Sequence, residues 1–280
     1  MNQLSAIAEF RRLHESGCFV LPNPWDPGSA IYLEQIGFKA LATTSAGFAF
    51  SKGLPDGTRH VSRDLMLEHF REIAAATSLP VNADFQNGYA DEPEEVAANV
   101  ARCLGTGVAG LSIEDNSEQT DRPLYDFELA VDRVRAARKA IDSSLMPVYL
   151  TARCEAWLVG DASPLRTALD RLVAFAEAGA DCLYAPGVTE PEDISTIVKA
   201  VAPKPVNVLV STNNCHVTVT QLADLGVRRI SVGGALARVA WAGFIRSAKE
   251  IQAEGSFTSF AEAMPFGDLM QLFRSRHSSQ

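Results

Sequence analysis

Four side chains in this 280-residue sequence have the types and spacing to act together: the carboxylates Asp56, Asp84 and Glu114, and the guanidinium of Arg153. Asp84, Glu114 and Arg153 each lie at or next to the end of a short apolar run, PVNADF, GLSIED and PVYLTAR, and Asp56 follows a Gly-Leu-Pro turn. Carboxylate oxygens with no histidine or cysteine among them are hard ligands. They suit Mg²⁺, or Mn²⁺, with waters completing an octahedron. Arg153 offers a planar fork that matches a substrate carboxylate. Any one of the four is equally well explained as a helix cap or a solvated loop charge, so the chemistry depends on all four reaching one place. His216, beside Cys215, has the type of a general acid or base, or of a solvent-facing loop histidine. Cys154 follows Arg153 directly and so points the other way along a strand, as a buried thiol would. Gly233–Gly234 suits either a phosphate loop or close helix packing, and Trp25 either a pocket roof or packing.

The elements that must position these groups repeat along the chain. Apolar runs at 18–24, 40–45, 80–85, 110–115, 147–153, 182–186, 205–210 and 228–234 predict strands, each apolar along most of its length as buried parallel strands are. Between them, 26–37, 62–77, 92–107, 126–142, 163–180, 190–201 and 217–226 carry apolar residues at helical spacing. Ser62 and Ser163 are N-cap types, Pro164 suits a first helical position, and Gly37, Gly107 and Gly226 suit helix ends. Eight β units, each followed by a helix and with no proline-rich or glycine-serine linker, predict one α/β domain over 1–280. It is a (β/α)8 TIM-type barrel over 18–234, after a leading helix in 1–17. An eighth helix and helical tail complete it over 235–280, and a doubly wound sheet is the alternative. The strand-end residues of such a barrel face one mouth, which places Ser45, Asp84, Gln86, Glu114, Asp115, Arg153, Glu155, Tyr184, Asn207 and Ser231 near one another.

Composition narrows the classes further. A net charge of −9 with no basic patch argues against nucleic acid or an anionic membrane as partner. Five scattered cysteines with no CxxC spacing fit reduced thiols in a cytoplasm. The first residues, MNQLSAIAEFRRLHESG, lack the apolar stretch of a secretory signal, and no run approaches a membrane span. None of Lys39, Lys52, Lys139, Lys199, Lys204 and Lys249 falls at a predicted strand end, which excludes a Schiff-base aldolase. The tail residues Met264, Phe266, Leu269, Met270, Leu272 and Phe273, with Trp241, Phe244 and Ile245 in the eighth helix, exceed what a lone barrel buries and predict a homo-oligomer.

The segment NADFQNGYAD (82–91) resembles the D-x-D-T-G-Y-G motif of the isocitrate lyase/phosphoenolpyruvate mutase superfamily. Residues 23–56, ending in Leu-Pro-Asp, are similar to its first two units. GVAGLSIED (107–115), TARCEA (151–156) and VRRISVGGALARVAWAGF (227–244) resemble three further motifs in the same order. The resemblance implies an α/β barrel that holds a 2-oxo acid or enolate through Mg²⁺. It implies Asp84 as the direct metal ligand, with Asp56 and Glu114 acting through waters. It further implies Thr44, Ser45 and Ala46 cradling a substrate carboxylate, Arg153 on substrate oxygens, and Asn207 as a further substrate contact. Arg153 and Glu114 are the expected catalytic residues. The eighth helix is expected to be swapped onto a neighbouring subunit, giving a dimer of dimers.

Two departures bear on the reaction. Gln86 stands where the family has a second aspartate, which removes one negative charge from the metal site. The stretch NSEQTDRPLYDF (116–127) holds no cysteine, histidine or lysine, so the proton donor of the lyase branch is missing. The lysine of the phosphonopyruvate branch is missing too, and Glu118 and Asp121 are expected to repel a phosphonate. The expectation is a Mg²⁺-dependent lyase that cleaves the C–C bond next to the carbonyl of a small 2-oxo dicarboxylic acid, in the manner of an oxaloacetate decarboxylase or hydrolase. The alternatives are a 2-methylisocitrate lyase-like enzyme that recruits Glu155 or Tyr89 as its acid, a phosphonopyruvate-type enzyme, and a non-catalytic 2-oxo-acid binder.

Overall fold

The computed structural model describes residues 2–212 and 217–277, with side chains as far as Arg274. Cys215 and His216 lie outside the described residues. All eight predicted strands form, each shorter than its apolar run: β1 Phe19–Leu21, β2 Leu41–Ala42, β3 Val81–Asp84, β4 Gly110–Glu114, β5 Tyr149–Arg153, β6 Cys182–Tyr184, β7 Val206–Leu209 and β8 Arg229–Ser231. They pair in parallel in the order β1-β8-β7-β6-β5-β4-β3-β2, a nearly closed (β/α)8 barrel. The seam between β1 and β2 is crossed by Ala42 N–H, which donates to Pro22 O at 3.0 Å. Asn23 reinforces it. Its amide donates to Thr43 O at 2.8 Å, and its Oδ1 accepts from Val232 and Gly233 N–H at 3.0 and 2.9 Å. One buried side chain thereby joins three strand ends.

The helices are α1 Gln3–Glu15, α2 Pro27–Gln35, α3 Ser45–Ser51, α4 Arg63–Ala76, α5 Pro93–Leu104, α6 Phe127–Asp142, α7 Pro164–Glu177, α8 Pro191–Val201, α9 Val219–Asp224, α10 Ala235–Glu254 and α11 Phe266–His277. A proline opens α2, α5, α7 and α8, where its missing N–H and fixed φ cost nothing. Ser62 caps α4 by accepting from Leu65 N–H at 3.3 Å. Ser163 makes no such bond, so Pro164 alone marks that start. Helix α3 was not expected. The predicted strand over 40–45 ends at Ala42, and Thr44 caps a helix by accepting from Gly47 N–H at 3.2 Å. Ser45 is therefore the first residue of a helix rather than the end of a strand.

Helix α1 stoppers the N-terminal end of the barrel. Phe10 is fully buried, edge-on to Phe19 and Tyr149. His14 stacks on Tyr149 at 4.2 Å. Gly110 makes room for the stopper: a Cβ there would lie 2.6 Å from the Phe10 ring. The site above is thus a blind pocket, open only at the C-terminal mouth.

Candidate active site

Adjacent strands β3, β4 and β5 carry Asp84, Glu114 and Arg153 to that mouth, with Glu114 directly opposite Arg153 in the ladder. Arg153 gathers them. Its Nη1 lies 2.7 Å from Asp84 Oδ1, and its Nη2 lies 3.1 Å from Glu114 Oε2 and 2.8 Å from Glu155 Oε1. The second oxygen of Asp84 accepts from Ser45 N–H at 3.0 Å. Asp56 reaches the same place from the loop after α3, accepting from Gln86 Nε2 at 3.1 Å, with the Ser45 hydroxyl favouring its charged form. The structure thus brings Asp56, Asp84, Glu114, Arg153 and Ser45 together. Thr44, Ala46 and Asn207 line the same cavity. The Asn207 amide is engaged within the barrel, donating to Ser231 Oγ at 2.9 Å and accepting from Arg229 Nε at 2.9 Å.

The cavity measures about 200 Å³ and is floored by Leu21, Ala42, Ser112 and Arg229. Pockets for drug-sized ligands run to ~300–1,000 Å³, so this one suits an acid of a handful of heavy atoms. Of the charged groups that line it, Asp56 and Asp84 face Arg153 and Arg229, and Glu114 and Glu155 pair with Arg153 from outside the lining. Burial pushes the Glu114 carboxyl well above its usual range; Arg153 opposes the shift and the other carboxylates add to it. Burial likewise raises Glu155 to about 7. Asp56 is raised by burial and by Asp84 beside it. Burial works against the Arg153 charge, but Glu114, Glu155 and Asp84 outweigh it and hold the guanidinium firmly protonated.

These residues fit a divalent cation held at one point. Among the described residues no group of three or more His, Cys, Asp or Glu side chains is placed to ligate a metal directly. The expected arrangement uses one direct ligand, Asp84, and water-mediated contacts beyond it. The surplus of carboxylates favours a cation, and Gln86 Oε1 is a buried acceptor with no protein partner.

Several sequence-level alternatives find other places. Cys154 is fully buried, as expected from its phase along the chain. Gly233 N–H is taken by Asn23, which favours packing over phosphate binding. The Trp25 Cβ packs 3.1 Å from where a Gly47 Cβ would stand, away from the acidic cluster. Glu118 accepts from Thr58 N–H and Oγ1 at 2.7 and 2.8 Å. Its carboxylate therefore tethers the 116–127 loop to the Asp56 loop, and it does not line the cavity as a repelling charge. Arg229 and Asn23 were missed. The signal for Arg229 was present, since a charged residue two places from Ser231 in a short strand shares its inward face. Arg133 was missed as well. It is 1% exposed, its guanidinium donates to the carbonyls of Asn87, Ala90 and Asp91, and it stacks 4.0 Å over Tyr125, fixing the loop that carries Gln86.

Residues 10–252 match the family model described as phosphoenolpyruvate phosphomutase. A solved structure from Burkholderia cenocepacia J2315, described no further than as a lyase/mutase, is 44% identical with a TM-score of 0.92, covering 97% of this chain and 96% of that one. Oxaloacetate acetylhydrolase in complex with oxalate is 25% identical with a TM-score of 0.86, covering 100% and 97%. The 2-methylisocitrate lyase of Escherichia coli is 31% identical over 169 residues, 58% of this chain and 55% of the relative. The barrel, the order of its motifs and the extent of the match agree: the chain belongs to the phosphoenolpyruvate phosphomutase family, within the phosphoenolpyruvate mutase/isocitrate lyase superfamily of lyases and mutases.

Proposed function

We propose that this protein is a Mg²⁺-dependent carbon–carbon lyase, with Mn²⁺ as the substitute ion, acting on a small 2-oxo dicarboxylic acid. The bond broken is C3–C4, one removed from the carbonyl, when oxaloacetate is decarboxylated, and C2–C3, next to the carbonyl, when it is hydrolysed. The observation that carries this reading is the cavity itself: about 200 Å³, with Arg153 and the Ser45 amide at its mouth and an acidic cluster that calls for a cation. Asp84 would hold the metal, with Asp56, Glu114 and the free Gln86 oxygen on its waters. When bound, the ion supplies a Lewis acid that polarises the 2-oxo group. Arg153 orients the substrate carboxylate and adds positive charge where the enolate develops, a kind of contribution worth about 3–4 kcal/mol of barrier when well aligned. Thr44, Ser45 and Ala46, which line the same cavity, would cradle the carboxylate, and Asn207 would close the wall. The enzyme is a single-domain cytoplasmic protein in this reading.

The test is a screen of small 2-oxo and 2-hydroxy acids with and without Mg²⁺, following carbon dioxide, acetate and pyruvate release. Turnover of a four-carbon 2-oxo dicarboxylate that vanishes on chelation is the expected result. Cleavage of 2-methylisocitrate instead would favour the relative's reaction. Metal-dependent binding with no turnover of any acid would make the protein a binder and end this reading.

A further inference from the structure

The proposed reaction leaves a carbanion that needs a proton, and the 116–127 loop supplies no thiol for it. The two substitutes considered from the sequence are out of place: neither Glu155 nor Tyr89 lines the cavity. Among the described residues that do line it, the groups other than acids and guanidinium that hold a transferable proton are the hydroxyls of Thr43, Thr44, Ser45, Ser112 and Ser231 and the phenol of Tyr184. Alkyl alcohols are far weaker acids than a phenol, whose ordinary pKa is about 10.

Resting on the functional reading above, we propose that Tyr184 is the acid that protonates the carbanion. Tyr184 ends β6, opposite Arg153 on one neighbouring strand and Asn207 on the other. It is 8% exposed, and the Arg153 guanidinium lies 5.1 Å from its ring centroid. The bonds behind it run in one direction. Arg229 Nε donates to Asn207 Oδ1 at 2.9 Å, which fixes the amide so that Asn207 Nδ2 donates to Ser231 Oγ at 2.9 Å. Ser231 then has its own hydrogen left, and it favours the charged form of Tyr184. With Ser231 donating to the phenol oxygen, the phenol's proton is free to point into the cavity. Arg229 is buried with no carboxylate partner, its other bonds going to Thr151 Oγ1 at 3.0 Å and His14 Nε2 at 3.4 Å. It is a positioning residue, polarising a chain of donors that all end on Tyr184, and such chains strengthen one another in a low-dielectric interior.

In the step itself, written for decarboxylation, the C3–C4 bond breaks, C4 leaves as carbon dioxide, and the electron pair stays on C3, the carbon attached to the 2-oxo group. That carbon takes the proton of Tyr184 Oη. The tyrosinate left behind accepts from Ser231, faces Arg153, and regains its proton from water at the mouth. Burial raises the phenol to about 12, with Arg153 and Ser231 pulling the other way, so the acid form is the resident one at neutral pH.

Tyr184→Phe keeps the ring over Arg153 and removes only the hydroxyl. It is expected to lower kcat by about 10²–10³-fold, the usual share of a general acid, while KM and inhibition by oxalate stay within about threefold. Deuterium incorporation into the 2-oxo product from D₂O should fall with kcat. Ser231→Ala, which removes the hydroxyl behind the phenol and with it the acceptor of Asn207 Nδ2, should give a smaller loss of kcat with KM within about threefold. Undiminished kcat and deuterium incorporation in Tyr184→Phe would overturn the assignment, as would an equal loss of oxalate affinity, which would make Tyr184 a binding group. A wild type inert toward every 2-oxo acid would overturn the functional reading first, and the acid with it.

Discussion

At the scale of single residues, the acidic cluster makes two opposed demands on substitution. Asp84 contributes one oxygen to Arg153 and one to Ser45 N–H at the mouth, and little to the core. Asp84→Ala should abolish Mg²⁺-dependent turnover while the stability falls by only about 0.5–3 kcal/mol, the common range for single substitutions. Full turnover at saturating Mg²⁺ would remove Asp84 from the site. Gln86→Asp should act in the other direction. It places a second carboxylate beside Asp56 where Oε1 now has no partner, so the Mg²⁺ concentration for half-maximal activity should drop by several-fold. An unchanged Mg²⁺ titration would mean that position 86 does not sense the ion. The acidic residues were legible because strand ends of a barrel face one mouth and because their motifs are ordered. Arg229 and Arg133 were not, because a buried arginine is defined by the carbonyls and amides around it, and those come from distant segments. Asn207 illustrates the same limit: its type marks a polar site, but only the structure shows both ends of its amide engaged inside the barrel.

At the scale of elements, periodicity located every strand and almost every helix because the barrel buries each strand on both faces and each helix on one. Strand ends were blurred for a physical reason. Apolar runs continue past the last ladder bond into buried loops, so 228–234 contains only Arg229–Ser231 as strand. Helix α3 hid in a small-residue segment whose helical character comes from the Thr44 cap and a packed environment rather than from propensity. The stopper helix α1 yields a prediction of its own. His14 is held neutral, its pKa pushed down to about 3 by burial first and by Arg229 second. The unfolded histidine takes up a proton near pH 6.5, whereas the folded one resists until about pH 3. The stability it contributes is complete above about pH 6.5 and is lost as pH falls toward 3. Glu155, raised to about 7, acts oppositely over the same range, its contribution being greatest below the ordinary carboxylate value and lost as pH rises to 7. The informative quantity is therefore a difference. Between pH 6.5 and 4.5, wild type should lose up to about 1.4 kcal/mol per pH unit relative to His14→Gln in urea unfolding. Parallel pH dependences would mean that His14 takes up its proton alike in the folded and unfolded states.

At the scale of the whole molecule, the barrel is finished before the chain ends. Only Ala237 of α10 is buried, while Val239 and Phe244 are 70% and 62% exposed and Phe266 of α11 is 80% exposed. A groove of about 1070 Å³ lies along α10, lined by Phe50, Leu54, Val210, Trp241 and Ile245 and lacking any carboxylate. The last segment does touch its own barrel, where Gln35 Nε2 donates to Leu272 O at 2.8 Å, but that contact leaves the apolar face of α10 uncovered. A contiguous apolar surface of this extent is costly in water, at roughly 25 cal/mol per Å². We propose that a second copy of the chain covers it, the eighth helix crossing onto the neighbouring barrel and two such pairs forming a dimer of dimers. The proposal predicts an even-numbered oligomer in sedimentation and a concentration-dependent thermal transition. Removing the chain after Gly255 takes away Phe257, Phe260, Met264, Phe266, Leu269 and Met270 together, and should convert soluble oligomer into aggregate. Replacing Val239 and Phe244 by lysine would place charge on the same face without shortening the chain, and should weaken association while the barrel stays folded by circular dichroism. A truncated or lysine-bearing chain that sediments at the wild-type mass would leave this face without a structural purpose and defeat the proposal.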